Sequence, residues 1–334
     1  MNSSLSSPQM FWGLTFILLA LVLCAANLGA ISMPFSVLWN RELQDYYLDI
    51  WLNVRMPRVL LAVLVGAALA TSGVIMQGLF RNPMADPGLL GVSSGSALMV
   101  GMAIVFPVSL PALFLMYEHM LFAVLGSLLI CTFIFFLSGR SSHGGMLHLL
   151  LAGIAINALC GAAIGILSYV GDDQQLRQLT LWMMGSLGQA QWPTLLVSAS
   201  LALPAIFFTW RNAGTLNLLQ LGDEEAHYLG VNVKRKRQML LVLSSLLVGA
   251  SVAISGVIGF VGLVVPHMLR LMGITDHRAL LPACALGGAG VLLFADVVAR
   301  VALFSAELPI GVVTSSLGAP VFIWMLLRPR SVKA

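Results

Sequence analysis

Apolar runs of about twenty residues recur along the whole of this chain, separated only by short polar turns. A run of that length, coiled as a helix, crosses the roughly 30 Å hydrocarbon core of a bilayer. In lipid every backbone amide must be satisfied within the protein, which leaves helices or a closed barrel. Barrel strands alternate in polarity over about ten residues, whereas these runs are continuous, so they read as helices. Composition agrees: 59% of the 334 residues are hydrophobic and 9% are charged, against about a quarter charged in a soluble domain. The fold class expected is an all-α membrane protein.

Set against Pro, Gly and charged punctuation, the runs give ten spans, at about 11–33, 58–80, 88–107, 113–138, 146–169, 192–210, 238–255, 257–273, 279–300 and 311–328. No segment between them is long enough to fold alone, so residues 1–334 form one transmembrane domain. Met1–Met10 carries no basic residue, a poor match to a cleaved signal, and the run from Phe11 reads as a retained first helix. An even span count puts both termini on one side. That side would hold Arg81, Arg140, Arg211, Lys234, Arg235, Lys236, Arg237, Arg270, Arg278, Arg328, Arg330 and Lys333. The other keeps Arg41, Arg55, Arg58, Arg177 and Arg300. Basic residues favour the cytoplasmic side, so both termini are expected there.

The sequence also excludes several chemistries. Its three lysines, Lys234, Lys236 and Lys333, lie in no phosphate loop, so ATP hydrolysis would need a partner, and no enzymatic constellation appears. The four cysteines, Cys24, Cys131, Cys160 and Cys284, sit in apolar segments without metal-type spacing. His143 and His148 flank a Gly-Gly turn and read as interfacial, and no metal site is expected. Secondary transporters usually bury ionisable groups; here Asp296 is the main one, one turn before Arg300, where an i,i+4 ion pair is simpler than a proton relay. A gradient-driven transporter is the alternative of a different class. Ser72-Gly73-Val74-Ile75 recurs as Ser255-Gly256-Val257-Ile258, each followed by a proline, Pro83 and Pro266, which raises a duplication.

Three polar segments carry mechanism. Arg55-Met56-Pro57-Arg58 opens the second span with two cations where a helix N-terminus disfavours them, and reads as an outward basic patch for an acidic partner or an anionic substrate. In Arg81–Gly88, Asp86 is an expected N-cap with Pro87 at the first helical position. Around 213–237, Asp223 is an expected cap for a short helix with Glu224 and Glu225 in its first turn and Leu229-Gly230 at its end. Such a helix outside the membrane suits a docked motor, while Lys234–Arg237 reads as an orientation anchor. Glycines within the spans (Gly91, Gly95, Gly161, Gly165, Gly287, Gly288, Gly290) favour close helix packing.

Together, four groups of segments resemble the permeases of type II ABC importers for iron-siderophores, haem and vitamin B12. They are Arg55–Arg58 with Gly73-Val74-Ile75-Met76-Gln77 and Arg81–Gly88; Trp182-Met183-Met184-Gly185-Ser186; Leu221–Ala226 through Leu229-Gly230; and Ser255–Arg270 with Glu307–Gly311 and Gly318-Ala319-Pro320. Within the family the chain looks most like bacterial haem permeases. The resemblance implies a vitamin B12 permease-like bundle of ten transmembrane helices paired with a second copy of itself, two cytoplasmic ATPase subunits and a periplasmic substrate-binding protein, with no nucleic acid involved. It implies no permanent cofactor, haem as the transported substrate, and ATP and magnesium on the partner. By position it makes Arg55, Arg58 and Arg300 binding-protein contacts, and Gly222, Asp223, Glu224, Glu225, Ala226, Leu229 and Gly230 the ATPase coupling segment. It places the path along the dimer axis near Leu167–Gly171 and Thr314–Gly318, with Tyr169, Arg177, Met183 and Met184 as candidate haem contacts. His267 reads as structural.

Overall fold

The computed structural model describes residues 7–28, 41–107, 111, 117–140, 146–302 and 306–327. Its regular structure is helical, with no strand among the described residues. In chain order the helices are α1 (Ser7–Asn27), α2 (Arg41–Ile50), α3 (Met56–Leu79), α4 (Val92–Val105), α5 (Glu118–Arg140), α6 (Met146–Val170) and α7 (Asp173–Met183). There follow α8 (Trp192–Arg211), α9 (Ala213–Leu221), α10 (Asp223–Tyr228), α11 (Val233–Ser255), α12 (Val261–Leu271), α13 (His277–Val301) and α14 (Ile310–Leu327). Among the described residues, seven helices are long and apolar enough to cross a membrane, and α4, α12 and α14 are shorter apolar helices. Each apolar run read from the sequence carries one of them, and the chain is a multi-pass membrane protein. His143 and the side chains of Arg140 and His148 lie outside what is described, as do Arg328, Arg330 and Lys333.

The centre is α3, buried along most of its length among α11, α12 and α13. Close approach is bought by missing side chains. A Cβ on Gly66 would overlap the Gly288 carbonyl, one on Gly73 the Gly262 backbone, and one on Gly95 would press into Gly126. Without a hydrophobic drive between helices in lipid, such contacts supply the packing. Gly161 and Gly165 have open space instead, on the face of α6 that also exposes Leu159, Ile166 and Tyr169.

Four local expectations give way. Arg55 and Arg58 do not open a helix: α2 continues into α3 through a π-helical turn, Trp51–Arg55, closed by the Met56 amide on the Trp51 carbonyl. Pro57 removes a backbone donor and crowds the preceding turn, and the wider turn absorbs both defects. The macrodipole argument against those cations therefore lapses. Asp86 does not cap α4, which starts at Val92 behind Gly91 at φ 84; it caps a turn, accepting from the Gly88 amide at 2.9 Å. Asp223 is not an N-cap either, since Gly222 holds that position and Asp223 lies in the first turn. Lastly, Ser72–Ile75 is interior helix whereas Ser255–Ile258 leaves a helix through Gly256 at φ 68, so the echo marks no repeated element.

Candidate functional site

At one end of the bundle, α3 and α13 bring Arg55, Arg58, Asp296 and Arg300 together. Asp296 is wholly buried and shared: Oδ1 meets Arg58 Nε at 2.9 Å and Oδ2 meets Arg300 Nη2 at 2.7 Å. The i,i+4 pair read from the sequence is thus present. Arg58 Nη1 reaches Glu307, 2.9 Å from its carboxylate. Arg300 Nη1 donates to the carbonyls of Ala25 and Leu28, and Arg55 Nη1 to those of Ala26 and Asn27, at 2.7–3.2 Å. These carbonyls are the unsatisfied end of α1, where cations are favoured. The expected outward patch is thus largely turned inward: Arg55 and Arg300 are buried, fastening α1 to the bundle, while the Arg58 side chain remains 11% exposed.

At the opposite end lies the segment expected to couple to a partner, Gly222–Gly230. Asp223 Oδ1 accepts from Arg81 at 2.5 Å and from Arg237 at 2.7 Å, so the basic run does more than orient the chain. Lys236 Nζ likewise reaches Asn212 Oδ1 at 2.7 Å. Arg81 closes α3 with φ 49, and Arg81 and Asn82 donate back to Gly78 and Gln77. This helix-ending motif normally takes glycine, and a left-handed non-glycine residue costs roughly 1–2 kcal/mol. Gly230, at φ 86, ends α10 in the same way with glycine in place. Ala226 is buried and anchors α10, whereas Glu224, Glu225, Tyr228 and Leu229 are exposed. An aromatic and an aliphatic side chain thus stand exposed beside two exposed carboxylates. Behind it, Asn217 bridges Asp276 and His277, and Gln220 reaches the Gly78 carbonyl, tying α9 to both α3 and α13. In the α3–α4 connection, burial pushes the Asp86 carboxyl up to about 6 against the opposing amides of Gly88 and Leu89.

The remaining motif segments converge in space. The Ser186 amide donates to the Ser255 carbonyl and the Ile310 amide to the Gly185 carbonyl, both at 2.9 Å. A Cβ on Gly256 would overlap the Trp182 carbonyl, one on Gly311 would press on Met184 and Val257, and one on Gly318 would overlap Phe260. Met184 is exposed beside this junction and Met183 half-buried; Tyr169, 91% exposed, ends α6, and Arg177 is exposed on α7. Thr314 is buried and His267 half-buried. No group of three His, Cys, Asp or Glu is placed to hold a metal among the described residues.

Sequence reasoning missed the partners rather than the sites. Glu307 was legible only as part of a motif, 249 positions from Arg58. Asp276 and Asn232 cap α13 and α11 through the amides of Arg278 and Arg235, and both stand in ordinary N-cap contexts that could have been read.

Residues 17–328 match the model of the FecCD transport family. The hemin transport system permease protein HmuU of Yersinia pestis is 59% identical over 334 residues, all of both chains. The vitamin B12 import system permease protein BtuC of Klebsiella pneumoniae is 45% identical over 325 residues, 97% of this chain and 95% of that one. A solved inward-facing conformation of a metal-chelate type ABC transporter superposes with TM-score 0.83 at 35% identity, covering 96% of this chain and 99% of that one. With a family model spanning nearly its whole length, the chain belongs to the FecCD transport family.

Proposed function

We propose that this chain is the membrane permease of an ABC importer that carries haem from periplasm to cytoplasm across the bacterial inner membrane. What carries the reading is likeness over the entire length at 59% identity to a hemin permease. In this reading it works as a homodimer of ten-span subunits with both termini cytoplasmic, the Asp223 end inside and the Arg58 end outside. Two ATPase subunits bind ATP and magnesium and seat on Gly222–Gly230, with Ala226 holding the helix and Glu224, Glu225, Tyr228 and Leu229 facing them. A periplasmic binding protein docks by carboxylates near Arg55, Arg58 and Arg300, of which Arg58 offers the accessible guanidinium. The path runs between copies along α6 and α14, past Tyr169, Arg177, Met183 and Met184. The open face of α6 at Gly161 and Gly165 supports that placement.

The 45% identity to vitamin B12 permeases keeps cobalamin, and with it a ferric siderophore, as the second cargo reading. A gradient-driven transporter is opposed by Asp296, whose carboxylate is held between two guanidinium groups. The test is uptake into proteoliposomes carrying permease, ATPase and binding protein. ATP-dependent haem accumulation above cobalamin and ferric siderophore is expected. Uptake driven by a proton or sodium gradient without ATP would overturn the reading.

A further inference from the structure

We propose that Glu307 is an internal stand-in for the docking partner's carboxylate, and that docking exchanges one carboxylate for the other at Arg58. The inference rests on the docking reading above and concerns what the partner must displace. Arg58 has two acidic neighbours of unequal standing. Asp296 is fully buried and also held by Arg300, so nothing from solvent can replace it. Glu307 is 46% exposed and meets Arg58 Nη1 from the connection between α13 and α14. Exposed pairs of this kind are weak, which suits a contact that must open.

The surroundings fix where an incoming carboxylate would act. Arg55 and Arg300 point Nη1 at the end of α1, whereas Arg58 Nη1 points at the exposed Glu307. Taking Glu307 away leaves the guanidinium groups of Arg58 and Arg300 sharing the one carboxylate of Asp296, a positive excess that attracts a second acid. Its release also bears on the junction described above. The next residue, Leu308, donates to the Ala299 carbonyl at 3.0 Å, and Ile310 donates to Gly185 at 2.9 Å at the start of α14. The Glu307 carboxylate itself lies over Gly188, so its site adjoins the turn that carries Met184 and Gly185. An exchange at Arg58 therefore releases one of the contacts that hold the connection leading into α14, beside the Leu308 and Ile310 hydrogen bonds.

The test is the affinity of the periplasmic binding protein for the assembled transporter in nanodiscs, with Glu307→Gln, Arg58→Gln and the double variant. Glu307→Gln removes the rival charge and keeps the shape. It should tighten binding roughly two- to fivefold, and the gain should vanish in the Arg58→Gln background. An unchanged or weaker affinity for Glu307→Gln overturns the exchange. So does a gain that survives in the double variant, since that is a general field effect. If Arg58→Gln folds and binds as tightly as the native transporter, the docking reading itself fails, and the exchange with it.

Discussion

Each end of the bundle has one aspartate shared by two arginines, and the two arrangements differ in exposure. Asp296 is wholly buried and the side chains of its arginines are 11% and 5% exposed. Asp223 is 42% exposed, and its arginines are 40% and 23% exposed. Breaking a buried pair leaves a charge stranded away from water, whereas an exposed pair can trade its partner for water at little cost. The Arg58 end therefore acts as frame, with Glu307 as its one solvent-facing contact in this set. The Asp223 end can rearrange at little cost.

Removing each aspartate should expose that difference. Asp296→Ala strands two guanidinium groups and should cost about 3–5 kcal/mol, read as a large drop in melting temperature in detergent and little affected by salt. The next effect belongs to Asp86, buried like Asp296 but facing no cation in its hydrogen bonds. Its folded carboxyl titrates near 6 rather than at 3.8, so the folded state binds the extra proton. Stability should rise as pH falls from 7 through 6, and Asp86→Asn should flatten that slope; thermal unfolding across pH checks both. Asp223→Asn should change stability by less than about 1 kcal/mol, with the difference fading in salt, while ATP-driven uptake falls markedly. Smallest of all should be the net stability change in Arg81→Gly. There, relief of a left-handed residue, roughly 1–2 kcal/mol, is offset by the lost ion pair together with the backbone entropy that glycine gains in the unfolded chain, yet uptake should still fall as it does in Asp223→Asn. A stability loss in Asp223→Asn equal to that in Asp296→Ala would erase the comparison.

The helices were legible because apolar runs and punctuation are local signals. Capping by Gly230 was legible for the same reason, being a matter of one residue's backbone freedom. The limits appear where a neighbour decides. Pro57 marks a helix start in sequence, but a π-helical turn carries the chain through it. Asp86 and Asp223 look like caps until Gly91 and Gly222 are seen in those places. Arg55, Arg58 and Arg300 look outward until the end of α1 and the Glu307 connection arrive from 28 to 275 positions away. Their sites were visible as motifs; the pairings were not, because ion pairs across that separation leave no periodic trace.

The claim that power enters at α10 from a partner ATPase is tested most directly by reversing its exposed charges. In the Glu224→Lys, Glu225→Lys variant, co-purified ATPase and ATP-driven haem uptake into proteoliposomes should be measured on the same preparation. Both should fall to background while the permease remains folded and membrane-inserted. Association and uptake at native levels would contradict the account.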